Sequence, residues 1–336
     1  MPRSRSGRCR RRELDTADVL AACDVRDVEF TTVWHSTRRV VGWGGGCERS
    51  RQGRAGAGAV ALSSGDWGVL LDAAPELEDL GYSTIWIAGA MHSELDRVAD
   101  MARVTRHVLV GTGIIAVDHF PAETVTAAFA EMEMAHPGRF VVGLGGAHGP
   151  TPLQTLGTYL DRLDGGAPIV PRDRRVLAAL GPRMLDLARD RTAGALPVLA
   201  TPEYTAQARA RLGADAVLVI QQMVILDNNA TRARHAARQV IGFLRDVEGG
   251  YRKHFHRMGF TEEDITQLSD RLIDALVVWG DLDTIARRIS EYRAAGADQV
   301  ALTVLPGEGS GAGSAVPLAQ WRELAGAVVP GRPPGG

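Results

Sequence analysis

His148 closes the stretch Gly145-Gly146-Ala147-His148, directly after an apolar run. A histidine at a glycine-rich strand end can reach a ligand, and its imidazole can donate to a substrate oxygen or carry a proton. The plainer reading is a loop histidine that caps a nearby helix. Asp118 and His119 are neighbours in sequence, but neighbours on a strand point to opposite faces, so they do not read as one acid–base constellation. His254 and His256 are two residues apart in a helical stretch, which sets them on different faces and argues against a metal site. Two short sequences suit an anion instead. Gly181-Pro182 and Thr201-Pro202 each follow an apolar run and open an amphipathic segment. Proline fits the first helical position, glycine allows close backbone approach, and the free N–H groups of a helix start attract negative charge. An ordinary strand-to-helix turn explains the same spacing equally simply. The chain shows no Ser-His-Asp set, Walker loop or metal-ligand cluster, so a bound cofactor is expected to bring the hard chemistry.

The elements that must carry these residues alternate. Apolar runs at 57–63, 84–87, 108–117, 139–144, 176–180, 195–200, 216–223 and 299–305 read as eight strands. Amphipathic segments between them read as helices, including Pro202 to Leu212, Asn229 to Leu244 and a closing helix Leu318 to Val328. Gly111 and Gly113 inside the third run predict a bulge or a close backbone approach. Residues 150–174 read as a looser region with a helical piece around Tyr159 to Leu163. Residues 246–275 read as an inserted helical region, with Arg252, Lys253, His254 and His256 in its basic part. Leu212 to Val217 and Ala295 to Val300 echo each other as helix end, Gly-Ala-Asp, then strand. Eight such units predict an α/β fold, a (β/α)8 TIM barrel with a helical insertion before the last barrel helix. An open doubly wound sheet is the rival, but Ser64-Gly65-Asp66 lacks its Gly-rich first turn. In a barrel the C-terminal strand ends carry the site. Here they supply Met91, His92, Asp118, His119, Gly146, His148, Gly181, Thr201, Gln221, Gln222 and Met223.

Composition narrows the function. The chain has 336 residues, 45% apolar and 23% charged, which suits a soluble globular protein. A formal net charge of −2 gives no reason to expect nucleic-acid or membrane affinity. Lys253 is the one lysine. Residues 1–55 hold 12 arginines against seven acids with little apolar content, and read as a disordered basic extension ahead of a single barrel domain at 56–330. No apolar stretch follows the arginine-rich start, so no signal peptide is expected. Cys9, Cys23 and Cys47 fit no zinc pattern, and the cysteine-free remainder suits a reducing cytoplasm.

Several segments together resemble the luciferase-like monooxygenase superfamily of flavin and deazaflavin barrels, and most of all its actinobacterial coenzyme F420-dependent oxidoreductases. They are ELEDLGYSTIWI at 76–87, GTGII at 111–115, HPGRFVVGLG at 136–145, YLDRLD at 159–164, LAALGPRMLDLARDRTAG at 177–194 and SDRLIDALVVWG at 269–280. The resemblance implies a luciferase-type barrel from about residue 56 to 305. It implies a strand-three bulge behind the deazaflavin ring, often with a non-proline cis peptide, at Gly113 and Ile114. It implies phosphate contacts from the backbone at Leu180 and Gly181, a ring and substrate border at Gly146 to His148, and a phosphate-side turn at Ala200 and Thr201. The chain departs from the pattern in two places. Gly89 and Ala90 stand where well-known deazaflavin dehydrogenases carry an Asp-His pair, and Glu203 lies where some relatives place a lysine.

The expectation is an enzyme passing a hydride between coenzyme F420 and a small organic substrate, with His148 as proton donor or orienter. Its cofactor contacts are Gly113, Ile114, Gly146, Leu180, Gly181 and Thr201, and no metal is expected. An FMN-dependent monooxygenase is the alternative, and a barrel that binds a cofactor or metabolite without turnover is the second. On this reading the backbone of the Gly181 turn, and no basic side chain, holds the phosphate. A cytoplasmic protein, possible as a homodimer, with a small-molecule substrate completes the expectation.

Overall fold

Parallel strands close on themselves in the computed structural model, which describes residues 59–64, 67–88, 95–246, 250–305 and 318–329. The described residues belong to the second of the two units into which the chain divides, Val41–Gly336. The expectation for residues 1–55, and Met91 and His92, lie outside the described residues.

The chain runs through β1 (Ala59–Ser64), α1 (Trp67–Asp79), β2 (Thr84–Ala88), α2 (Asp96–Val104), β3 (Leu109–Gly113), β4 (Ile115–Ala116), α3 (Ala122–Ala135) and β5 (Phe140–Gly145). It continues through α4 (Pro152–Asp164), β6 (Arg175–Leu177), α5 (Pro182–Arg191), β7 (Gly194–Ala195), α6 (Pro202–Leu212) and β8 (Val217–Ile225). The last part holds α7 (Ala230–Asp246), α8 (Tyr251–Arg257), α9 (Glu262–Gln267), α10 (Asp270–Leu276), β9 (Val277–Trp279), α11 (Leu282–Ala294), β10 (Gln299–Val304) and α12 (Leu318–Val328).

The ring order is β1, β2, β3, β5, β6, β7, β8, β10 and back to β1, all parallel. The expected (β/α)8 barrel is therefore present. Both glycines of the Gly-Ala-Asp echo adopt positive φ, +80° at Gly213 and +104° at Gly296, and each stops a helix before an inner strand. Three local readings change. The looser region contains a full 13-residue helix, α4, whose Leu156, Tyr159, Leu160 and Leu163 are buried. The run at 195–200 pairs only at Gly194–Ala195 and through a bridge from Val198 to Gln221, because Pro197 has no N–H to donate and Leu199 turns to φ +55°. The inserted helices α8 to α10 end in a strand the sequence did not suggest: β9 pairs with Met223 to Ile225 at the far end of β8.

The core has two layers and an annex. Helix faces pack on the outside of the sheet, with Leu70, Leu77, Met101, Val125, Phe129, Leu160 and Trp321 among the buried side chains. Inside the ring, Trp86, Val141, Val176, Leu196, Val219 and Ala301 fill the barrel. Burying each of the valine and leucine side chains among them contributes roughly 1.5–3 kcal/mol. Gly111 makes room for Trp86, since a Cβ there would lie 2.4 Å from its ring. The indole N–H donates to Gln299 Oε1 at 2.9 Å, and the Gln299 amide donates to the hydroxyls of Ser83 and Thr84, so this buried polar group is satisfied. The inserted helices have their own cluster, including Phe255, Ile265, Leu272 and Ile273. Among the described residues no helix is long and apolar enough to cross a membrane.

Candidate functional site

The loop after β4 and the loop after β5 rise from the C-terminal ends of paired strands, and they bring Asp118 to His148. The N–H groups of His119 and Phe120 both donate to the Ala116 carbonyl, a turn that holds Asp118 at its crest. In the facing loop Gly146 has φ +66° and Gly149 φ +91°, conformations that glycine adopts without steric cost. A Cβ on Gly146 would approach that of Ala116 to 2.8 Å, so this glycine lets the two loops touch. One carboxylate oxygen of Asp118 then accepts the His148 backbone N–H at 2.7 Å and lies 2.9 Å from its Nδ1. The His148 side chain remains 44% exposed. His119, the next residue of the same turn, is exposed. The pairing of Asp118 with a residue 30 positions away was not legible from spacing.

The bulge in strand three takes the expected form. Strand pairing breaks after Gly113, the Gly113–Ile114 peptide is cis, and β4 resumes at Ile115. The glycines around it have packing reasons. A Cβ at Gly143 would sit 1.9 Å from the Thr112 carbonyl oxygen, and one at Gly145 would meet Ile114 Cδ1 at 3.0 Å. Gly113 itself looks toward the Gln221 amide, 3.0 Å from where its Cβ would be. Gly113, Ile114 and Gly146 are each partly exposed. Gln222, by contrast, is buried, and its amide donates to the carbonyls of Met223 and Leu276.

The two helix starts differ. At α5, Gly181 is the N-cap and supplies no side-chain cap. A Cβ at Gly181 would fit without a clash, in ordinary contact with the Arg257 guanidinium at 3.8 Å. Arg257, at the end of α8, donates to the Leu180 carbonyl at 3.4 Å. The Tyr204 hydroxyl donates into the same turn, 3.0 Å from the Leu180 oxygen and 3.3 Å from that of Ala179. Burial holds the Tyr204 phenol protonated, well above its ordinary range. At α6, the Thr201 hydroxyl accepts the Tyr204 N–H at 3.2 Å. The Glu203 carboxylate accepts from its own backbone N–H and from the Thr201 hydroxyl, which holds it below the usual carboxylate range. Thr201 is 7% exposed and committed to its helix.

Behind α6 the backbone is braced. The Ala200 carbonyl accepts from the buried Tyr292 hydroxyl at 2.7 Å. His254 Nε2 donates to the Leu199 carbonyl at 2.9 Å and its ring meets Tyr204 edge-on, centroids 4.6 Å apart. Burial lowers the His254 pKa from 6.5 to about 4, so the ring is neutral and Nε2 carries the proton. His256, on the same helix, is exposed and contacts Glu262. Among the described residues no group of three or more His, Cys, Asp or Glu could hold a metal ion.

A basic side chain does stand at the Gly181 turn: Arg257, delivered by the inserted helices from 76 residues further along the chain. Its stretch was noted as basic, but only the packing of α8 aims it. A cleft at the opposite end of the barrel, lined in part by Arg172, Arg189, Asp190 and Asp215, lies among strand starts. Arg172 there donates to the carbonyls of Arg189 and Thr192, and Arg189 pairs with Asp186 and Asp190.

The model of the luciferase-like monooxygenase family matches residues 151–299. A sequence search of curated proteins finds no match. An F420-dependent secondary alcohol dehydrogenase in complex with an F420-acetone adduct is similar over 80% of this chain and 98% of its own, at 13% identity and a TM-score of 0.63. The coenzyme F420-dependent tetrahydromethanopterin reductase from Methanopyrus kandleri covers 81% and 98%, at 16% identity and 0.62. The oxygenating constituent of 3,6-diketocamphane monooxygenase from Pseudomonas putida, in complex with FMN, covers 82% and 100%, at 11% identity and 0.56. At such identities the likeness is one of fold. Residues 151–299, which span α4 to the start of β10, match the luciferase-like monooxygenase family model, and the barrel built around them has the fold of the similar structures.

Proposed function

We propose that this chain is an F420-dependent oxidoreductase, transferring a hydride between coenzyme F420 and a small organic substrate. The observation that carries the reading is the open start of α5. Gly181 leaves room for a ligand, the helix start offers N–H groups and a partial positive charge, and the Arg257 guanidinium stands beside it. A planar guanidinium matches a phosphate better than an ammonium would, so the absence of a lysine is no obstacle. Tyr204 keeps the Leu180 carbonyl engaged, which limits how far that oxygen can turn toward an anion. These features fit a phosphate-bearing cofactor.

On this reading Leu180 and Gly181 hold the phosphate with Arg257. Thr201 bounds the phosphate side as the cap of α6. Gly113 and Ile114 back the ring, and Gly146 borders it. His148 sits where it can donate a proton to the substrate or orient it. The deazaflavin supplies two-electron hydride chemistry when bound, and the protein fixes distance and orientation. The F420-dependent structures among the similar folds support this choice. The family description and the FMN complex favour a second reading, an FMN-dependent monooxygenase on the same residues. Titrating the purified protein with each cofactor and following its fluorescence separates them. Quenching of F420 at micromolar concentration is expected. Binding of FMN with none of F420 replaces the first reading by the second.

A further inference from the structure

We propose that Asp118 is a positioning residue that holds His148 as its Nδ1–H tautomer, leaving Nε2 as the atom that takes a proton from a substrate hydroxyl. This rests on the oxidoreductase reading above and adds a substrate class, an alcohol and its carbonyl product.

The geometry sets the tautomer. An ionised carboxylate is an acceptor only, so an Asp118 oxygen 2.9 Å from Nδ1 is a hydrogen bond only when Nδ1 carries the proton. The neutral ring then has its lone pair on Nε2. The same oxygen takes the His148 backbone N–H at 2.7 Å, so side chain and main chain are tied to one point and the ring's direction is fixed. Nothing described bonds Nε2, and the side chain is 44% exposed, so that nitrogen is within reach of a ligand at the strand ends. His254, by contrast, has its Nε2 committed to a backbone carbonyl, that of Leu199.

The chemistry follows from the free lone pair. A carbon bearing a hydroxyl that gives up its hydride and electron pair to a two-electron acceptor leaves a protonated carbonyl. The balance closes when the O–H proton moves to Nε2 and the C=O bond forms. In the reverse direction Nε2–H returns that proton to the carbonyl oxygen. The Asp118 carboxylate keeps its hydrogen bond to Nδ1–H and so stabilises the imidazolium. The acceptor is the oxidised deazaflavin of the proposed function.

The test has two arms on the full chain. In the first, 15N-histidine protein is examined by long-range 1H–15N NMR at neutral pH, with His148 assigned from His148→Gln. The Nδ1–H form is expected in the wild type, lost in Asp118→Ala and at least partly restored in Asp118→Glu. A wild-type ring in the Nε2–H form, or one unchanged by Asp118→Ala, overturns the proposal without touching the cofactor reading. The second arm uses F420-loaded protein and a panel of short primary and secondary alcohols. Asp118→Asn is expected to lower kcat about 10-fold and His148→Gln about 100-fold. F420 affinity should stay within about twofold in both variants, because neither side chain is a cofactor contact on this proposal, and KM should stay so in Asp118→Asn, whose side chain acts through His148 and does not touch the substrate. A change in KM alone makes Asp118 a pocket wall and overturns the role. Protein that binds F420 but oxidises no alcohol overturns the substrate class. Protein that binds no F420 fails the earlier reading, and this one falls with it.

Discussion

The starts of α5 and α6 look alike as text: an apolar run, a turn residue, proline, then an amphipathic helix. They are different objects. At α6 the Thr201 hydroxyl and the Glu203 carboxylate already satisfy the helix start, and that carboxylate is the negative charge the helix dipole favours. At α5 the cap is a glycine with no side chain, and the nearest charged group is a cation, Arg257. One start supplies its own anion and the other lacks one. The difference lies in the residue before proline and in one arginine that no local pattern connects to it.

Four changes break or sharpen that contrast. Gly181→Asp would give α5 the internal carboxylate that α6 already has. There is room for its Cβ, so the barrel should fold, while F420 affinity falls about 100-fold, or roughly 2.7 kcal/mol, in the fluorescence titration. Unchanged affinity would remove the anion site from α5.

His254 braces the α6 side, and its effect is on acid stability. Its pKa in the folded protein, about 4, lies below the ordinary 6.5 of the unfolded chain. The unfolded state therefore binds the extra proton first as pH falls, and stability is complete above 6.5, declines between 6.5 and 4 and levels off below. From pH 7 to pH 5 the loss is on the order of 2 kcal/mol. Urea unfolding at the two pH values should show this for the wild type and a clearly smaller difference for His254→Asn.

Arg257→Ala is expected to weaken F420 about 10-fold, roughly 1.4 kcal/mol, with Arg257→Lys between the two. Titration at low and high salt checks it, since the wild-type affinity should be the more salt-sensitive. The smallest effect belongs to Thr201→Ala. Losing the cap should cost about 1 kcal/mol in denaturant unfolding, with F420 affinity held within about twofold. A larger affinity change would mean that α6 also touches the phosphate.

Legibility followed locality. The helices α6 and α12 have the boundaries their apolar spacing predicts, because caps and periodicity are written within a few residues. The eight-strand count survives because buried parallel strands are continuous apolar runs. Where a local signal was diluted, it misled. Proline and glycine around Leu153 to Leu163 masked α4, and the apolar run after Ala195 suggested a longer strand than Pro197 allows. Of the site, Gly113, Ile114, Gly146, His148, Leu180, Gly181 and Thr201 could be proposed from motifs. The partners that give them meaning could not. Asp118 reaches His148 across two loops, Arg257 reaches Leu180 from an insertion, and Tyr204 and Tyr292 reach the Leu180 and Ala200 carbonyls from neighbouring helices. Those pairings depend on how helices pack onto the ring, which periodicity does not encode.

The closing of that ring sets a schedule for making the protein. Gln299 to Leu302 zip onto Ala59 to Leu62, and the same strand pairs with β8 on its other side. On the ribosome, β1 must wait for almost 240 further residues before its second neighbour exists, and β8 waits as well. Both are exposed strand edges during that interval, the kind of surface that recruits other chains. A message truncated just before Gln299 would yield a product with every proposed contact residue present and two open edges, bound for aggregation and for the cell's quality-control machinery.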